Sequence, residues 1–191
     1  MKPDSTPYKP IIGNVSDVHV WEMSTHADLR GRLFKAYSSA SKELFPVPFE
    51  TYEHFFTESN KNVFRGMHFQ GSPHAVSKVV SLVQGKAIDL LFDMRKNSQT
   101  FGFLQLINLD EATPASIYIP TGVAHGYLAL EEKTIISYRM SGPFCGNCDS
   151  GFSGEMVDKL LPISIEKTIR SQRDLGLLEF DEFDYNSICD L

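Results

Sequence analysis

The residues best suited to chemistry fall in two short segments. The first, Phe64-Arg65-Gly66-Met67-His68-Phe69-Gln70, puts a guanidinium, an imidazole and an amide within six positions. The second, Pro120-Thr121-Gly122-Val123-Ala124-His125-Gly126-Tyr127, sets a histidine just after a tight turn, at the start of a strand. An imidazole titrates near neutral pH and serves as a general acid or base, a role typically worth about 10²–10⁴-fold. By strand alternation Arg65, Met67 and Phe69 face one way and Phe64, Gly66, His68 and Gln70 the other. A break at Gly66 would bring Arg65 and His68 to one pocket. Taken singly, such a histidine is more often a hydrogen-bonded structural residue. Two further side chains carry chemistry on apolar runs. Lys78 opens Lys78-Val79-Val80-Ser81-Leu82-Val83, facing inward or lying at the strand mouth. Tyr138 shares a strand face with Ile136 and Met140, as a core tyrosine also would.

The elements that must position these groups are mainly strands. Val76–Val83 and Ala87–Met94 are rich in β-branched and apolar residues, with Gln84-Gly85 between them. Phe101–Ile107, Ser116–Ile119, Tyr127–Leu130 and Thr134–Met140 continue the pattern, divided by Gly, Pro, Asn and Asp. Many short strands at regular spacing predict a β-sandwich or barrel. Helix signals are few: Leu33–Leu44, ended by Pro46 and Pro48; a short turn at Asp158–Leu161; and a helix opening at Ser171-Gln172-Arg173-Asp174. The chain reads as one domain over residues 1–191, with a loosely held acidic tail from about residue 182.

Composition narrows the classes. The 191 residues are 42% hydrophobic and 22% charged, as in an ordinary globular domain, with a formal net charge of −6. An acidic surface argues against nucleic-acid binding, which needs a basic face, yet allows a local basic pocket for a small phosphate ligand. No apolar run is long enough to span a bilayer, and Met1–Pro10 lacks a signal-peptide pattern, so no membrane association and a cytoplasmic location are expected. Three cysteines, an odd count, fit a reducing compartment, and Cys145-Gly146-Asn147-Cys148 reads as a loop. A zinc site there would need two more ligands, and no second Cys pair is present.

The Pro-x-Gly-x-x-His segment resembles the second motif of the cupin barrels. Metal-binding cupins also need His-x-His and a nearby glutamate, and no His-x-His occurs here, so no metal site is expected. Seven segments in order then extend the likeness: Asp28-Leu29-Arg30-Gly31-Arg32-Leu33-Phe34, Arg65-Gly66-Met67-His68-Phe69-Gln70, Lys78-Val79-Val80, Asp93–Gly102, Ile119–Tyr127, Tyr138 and Ser171-Gln172-Arg173-Asp174. Together they resemble the dTDP-4-dehydrorhamnose 3,5-epimerase family over about Asp28 to Asp174. The resemblance implies an all-β cupin jelly-roll barrel with a few short helices. It implies a homodimer, no cofactor, and a nucleotide-linked 4-keto-6-deoxyhexose as substrate, on a dTDP, CDP or GDP handle. In the family it resembles, such sugars feed surface polysaccharides, such as O-antigen and lipopolysaccharide, or natural-product assembly. It makes His68 the general base, Lys78 the enolate stabiliser and Tyr138 the proton donor. Arg65, Gln70, His125 and Phe144 would line the sugar pocket, and Arg30 would contact the diphosphate.

The residue types suit that chemistry. Inversion beside a ketone needs a base for the acidified C–H, positive charge for the enolate oxygen, and an acid on the other face. Arginine binds phosphate oxygens bidentately. Departures from the family pattern are expected to narrow the reaction. A carboxylate partner for His68 is sought in a Trp-x-Asp stretch, but Gly151–Leu160 holds none, and Glu155 and Asp158 are out of register. A tyrosine six residues after Tyr138 is replaced by Phe144, a glutamine before Lys78 by Val76, and a polar residue upstream of Arg65 by Phe55. We therefore expect inversion at C3 with C5 inversion weak or absent. A non-catalytic nucleotide-sugar-binding cupin and a 3,4-ketoisomerase are the alternatives; a metal cupin oxygenase is disfavoured by the lack of His-x-His.

Overall fold

The computed structural model describes residues 9–36 and 49–182. Its strands are β1 (Ile11–Ile12), β2 (His19–Glu22), β3 (Ser24–Asp28), β4 (Gly31–Lys35), β5 (Glu53–Ser59), β6 (Phe64–Gln70), β7 (Lys78–Gln84), β8 (Lys86–Asp93), β9 (Phe103–Asp110), β10 (Ala115–Ile119), β11 (Val123–Ala129), β12 (Thr134–Met140) and β13 (Asp149–Gly151). One sheet has the order β1-β9-β8-β11-β6-β13 and a second the order β2-β10-β7-β12-β5; β3 and β4 form a separate hairpin. Among the described strands, only β1 and β9 pair in parallel. The two facing sheets are the sandwich or barrel that the strand spacing predicts and the all-β jelly roll that the resemblance implies; β7 to β10 and β12 lie near the apolar runs, and β11 begins earlier than its run, at Val123.

The core explains the strand composition. Val80, Leu82, Leu91, Ile117, Ile136 and Tyr127 meet between the two sheets. A second cluster, with Phe64, Met67, Phe92, Leu104 and Leu128, is closed by Phe152, Val157 and Ile165 of the C-terminal segment. The six-stranded sheet is therefore covered on both faces, and all of β11 is buried.

One local expectation changes. Leu33, Phe34 and Lys35 belong to β4, paired with β3 from Ser24↔Lys35 to Asp28↔Gly31, and not to a helix. Leu33 is exposed on that hairpin, and pairing with β3 sets the local structure. The rest of that predicted helix, from residue 37, lies outside the described residues, as does the acidic tail from residue 183. Near the C-terminus the short elements do form. A 3₁₀ turn covers Gly154–Leu160, and Ser171 caps the one-turn helix α1 (Gln172–Leu175) by accepting from the Asp174 N–H at 3.1 Å.

The feature of the fold that shapes the site is the crossing of β6 and β11. His125 lies opposite His68 and Tyr127 opposite Arg65, so three steps along β6 match two along β11. That bulge puts Arg65 and His68 on the same face, as the break expected at Gly66 would. Gly66 has φ +134°, and its peptide to Met67 is cis. A Cβ on Gly66 would lie 2.5 Å from the Gly126 Cα, so the two backbones cross with no room for a side chain. Gly66→Ala should lower unfolding stability by roughly 1–3 kcal/mol through this clash and the positive φ. Gly146→Ala, whose methyl would meet only the Phe144 ring at 3.6 Å, should be near neutral. Urea melts of the two variants check this; equal stabilities would contradict it.

Candidate active site

A cavity of about 310 Å³ opens between the sheets. The six-stranded sheet contributes Arg65, His68 and Gln70 from β6 and His125 from β11; the five-stranded sheet contributes Lys78 from β7, Tyr138 from β12, and Glu53, Phe55 and Thr57 from β5. His68 and Tyr138 thus come to one cavity from opposite sheets.

His68 is held by a carboxylate. Its Nε2 lies 2.7 Å from Oδ1 of Asp174, on α1. Burial pushes the Asp174 carboxyl up, but the His68 hydrogen bond and charge, the Ser171 contact and Arg173 outweigh it and hold it below the usual carboxylate range. An ionised carboxylate only accepts, so Nε2 donates and the Nδ1 lone pair is left free to take a proton. The expected search between Gly151 and Leu160 is corrected: Glu155 faces Arg170 at 3.5 Å and Asp158 accepts from the Ile165 N–H at 2.6 Å. The partner stands in the Ser-Gln-Arg-Asp segment.

The second histidine has its own acid. His125 Nε2 lies 2.7 Å from Asp89 Oδ1, with both side chains buried. Its ring backs Tyr138 at 5.8 Å between centroids. Lys78 is buried too, and its ammonium donates to the His68 carbonyl at 3.2 Å. Burial lowers its amine to about 8, while Asp149 and Asp89 resist the fall. Burial also drives the Tyr138 phenol well above its ordinary range, Tyr127 and Asp89 adding to the rise and Arg65 and a Thr57 hydrogen bond opposing it. Phe55 stacks on Tyr138 at 5.1 Å with rings within 9° of parallel, which fixes the ring plane.

A family model described as dTDP-4-dehydrorhamnose 3,5-epimerase matches residues 13–182. The chain belongs to that family. It is 30% identical over 174 residues to the dTDP-4-dehydrorhamnose 3,5-epimerase of Escherichia coli K12, covering 88% of this chain and 92% of the relative. The solved dTDP-4-dehydrorhamnose 3,5-epimerase of Elizabethkingia anophelis superposes with a TM-score of 0.79 at 26% identity, over 91% of this chain and 96% of that one. That of Bacillus anthracis, solved with TDP and PPi bound, gives 0.78 at 28% identity over 88% and 97%. The protein is accordingly an epimerase, an enzyme of the isomerase class.

Other residues of this family member stand differently from expectation. Arg30 is not brought to the cavity: it lies at the exposed tip of the β3–β4 hairpin, in an ion pair with Asp28 at 2.5 Å. Arg173, on α1, lines the cavity instead, paired with Asp149 at 2.9 Å and with its side chain half exposed. Gln70 lines the cavity, but its amide is committed. It donates to the His74 and Pro143 carbonyls and accepts from the Cys145 N–H at 2.9 Å, so it anchors the loop that carries Phe144. Phe144 lines the mouth with its ring largely exposed. The Asp93–Gly102 motif is a locked loop away from the cavity, with Asp93 accepting from Arg95, Ser98 and Thr100.

Cys145 and Cys148 are joined in a disulfide, where free thiols were expected; their Cα atoms lie 5.2 Å apart, within bonding range. His74 lies close to both sulfurs. Joined sulfurs offer no thiolate, which leaves one imidazole and no ligand set. No helix among the described residues is long and apolar enough to cross a membrane.

The amine of Lys78 should be charged below about pH 8 and neutral above it. After reductive methylation with ¹³C-formaldehyde, its methyl resonance should titrate there, while exposed lysines titrate near about 10.4. A midpoint for Lys78 in that ordinary range would contradict the burial account.

Proposed function

We propose that the enzyme inverts C3 of a nucleotide-linked 4-keto-6-deoxyhexose through an enolate, with C5 inversion weak or absent. The observation that carries this reading is a carboxylate-held imidazole and a buried phenol on opposite sheets of one cavity. His68 takes the C3 proton; the C–H electrons form the C3=C4 double bond, and the ketone π electrons move to its oxygen. Asp174 stabilises the imidazolium so formed. Lys78, protonated at pH 7, meets the enolate oxygen, a contact whose loss costs about 10²–10³-fold in comparable sites. Tyr138, which burial keeps protonated at neutral pH, returns a proton to C3 from the other face. The phenolate and imidazolium exchange protons with solvent before the next cycle. This chemistry calls on no cofactor.

Restriction to C3 is supported by the cavity wall. Phe55, Val76 and Phe144 present no hydrogen-bonding side chains to a sugar that must be turned and reprotonated at a second carbon. Arg65 and Arg173 suit the diphosphate, since a guanidinium binds phosphate oxygens bidentately. The TDP in the Bacillus anthracis relative supports a thymidine handle. The β3–β4 hairpin is exposed along nearly its whole length, and Leu29 and Leu33 on it are open to solvent. In a homodimer it is the element able to carry Arg30 to a neighbouring subunit. The motive for a binding-only protein, a base without a carboxylate, falls with Asp174.

The test is incubation in D₂O with 4-keto-6-deoxyglucose on dTDP, CDP or GDP, following C3–H and C5–H by NMR, on protein whose light-scattering mass is expected to be that of two chains. We expect loss of the C3 signal, abolished in His68→Ala, and an inverted C3 after ketone reduction. Loss of both signals would make it a full 3,5-epimerase. A ketone moved to C3 would make it a 3,4-ketoisomerase, and no exchange with any of the three would make it a binding protein.

A further inference from the structure

The loop beside the cavity mouth holds a cluster that the epimerisation does not use. The ligating atoms of His74, Cys145 and Cys148 all lie within 4.8 Å of one another. The sequence shows only the cysteine pair; folding supplies the third side chain from the loop that follows β6. One amide ties the two loops together. Gln70, buried at the end of β6, accepts from the Cys145 N–H at 2.9 Å and donates to the Pro143 carbonyl at 3.0 Å and to the His74 carbonyl. The Gly71 N–H donates to the Cys148 carbonyl at 2.8 Å. Within the cysteine loop, the Cys148 and Asp149 N–H groups both donate to the Cys145 carbonyl, at 2.9 and 2.8 Å. That turn brings the two cysteines together, and the Gln70 bonds keep the His74 loop against them.

With the sulfurs joined, the cluster offers one ligand. A dithiol reductant changes that. Its two S–H hydrogens go to Cys145 and Cys148 as the S–S bond breaks, and it leaves as its own disulfide. Cys145 is half-buried, and Gly146 and Asn147 between the cysteines are exposed, so the bond is carried by a surface loop. Two thiolates and one neutral imidazole can then bind a divalent cation, with release of the two thiol protons. Sulfur and imidazole donors select zinc over the hard magnesium and calcium ions. Ligand atoms around a tetrahedral zinc, with bonds of about 2.0–2.3 Å, stand roughly 3.5–3.8 Å apart, so the imidazole has on the order of 1 Å to close. Asp149, next in the chain, is taken by Arg173 at 2.9 Å, which leaves the fourth position to water.

We propose that His74, Cys145 and Cys148 in the dithiol form bind one zinc ion, a crosslink that takes the place of the disulfide. Phe144, which adjoins Cys145, lines the cavity, but none of the three ligands does. The metal therefore holds the loop and takes no part in proton transfer, and the inference does not depend on the reading of the reaction.

The test is a metal titration of the full chain. Protein reduced with dithiothreitol and desalted under argon is titrated with Co²⁺, which reports thiolate ligands by charge-transfer absorption and tetrahedral geometry by its visible bands. We expect one Co²⁺ per chain, displaced by one equivalent of Zn²⁺, and no such spectrum from protein oxidised beforehand with glutathione disulfide. Cys145→Ser, Cys148→Ser and His74→Ala should each weaken binding by at least about 100-fold, since a lost ligand costs no less than a lost outer-shell partner. Cys189→Ser, a control outside the described residues, should bind as wild type. No spectrum from reduced protein, the same spectrum from oxidised protein, wild-type affinity in any of the three ligand variants, or loss of binding in Cys189→Ser would overturn the proposal. The wild-type titration decides it whatever a variant does to folding.

Discussion

The hydrogen bond between His68 and Asp174 joins positions 106 residues apart, and the site depends on it. Asp174 is delivered by a one-turn helix too short to be stable alone. It follows a C-terminal segment whose Phe152, Val157 and Ile165 close the outer face of the six-stranded sheet and whose Ile169 backbone hydrogen-bonds Asn62 and Phe64 beside β6. Packing on one face of the sheet thereby accompanies the fixing of the His68 imidazole on the other. The same segment brings Arg173 to the cavity. Because the Asp174 carboxyl is held low, its contribution to stability is present above the usual carboxylate range and is lost as pH falls through its folded value.

Burial acts on the opposite sheet in two directions at once. It disfavours the charged form of each group, which lowers Lys78 to about 8 and raises Tyr138 well above 10. The outcome suits an enolate reaction near neutral pH. The amine keeps its charge, though closer to losing it than a surface lysine, and the phenol keeps its proton. Neither property belongs to the residue type alone; both come from a wall of Phe55, Val76 and the inter-sheet core. Apolar side chains at Phe55, Val76 and Phe144 leave this wall of the cavity without hydrogen-bonding side chains.

Much of this was legible in the sequence. β7, β8, β10 and β12 announce themselves by β-branched and apolar runs, and Gly66 signals the break that sets Arg65 beside His68. The N-terminal strands do not, because β2, β3 and β4 are short and largely exposed. Asp174 was visible as part of Ser-Gln-Arg-Asp but read as the opening of a helix; nothing local ties it to a strand more than 100 residues earlier. Arg30 has the right chemistry and, within one chain, the wrong place.

The central claim is that removal and return of the C3 proton use different residues on opposite faces of the sugar. Tyr138→Phe, followed in D₂O with the nucleotide-linked 4-keto-6-deoxyglucose, measures this directly. His68 should still wash deuterium into C3 and return it to the face it came from, so exchange proceeds with configuration retained and inverted product falls by about 10²-fold or more. Inversion persisting near the wild-type rate, or exchange lost together with inversion, would contradict the account.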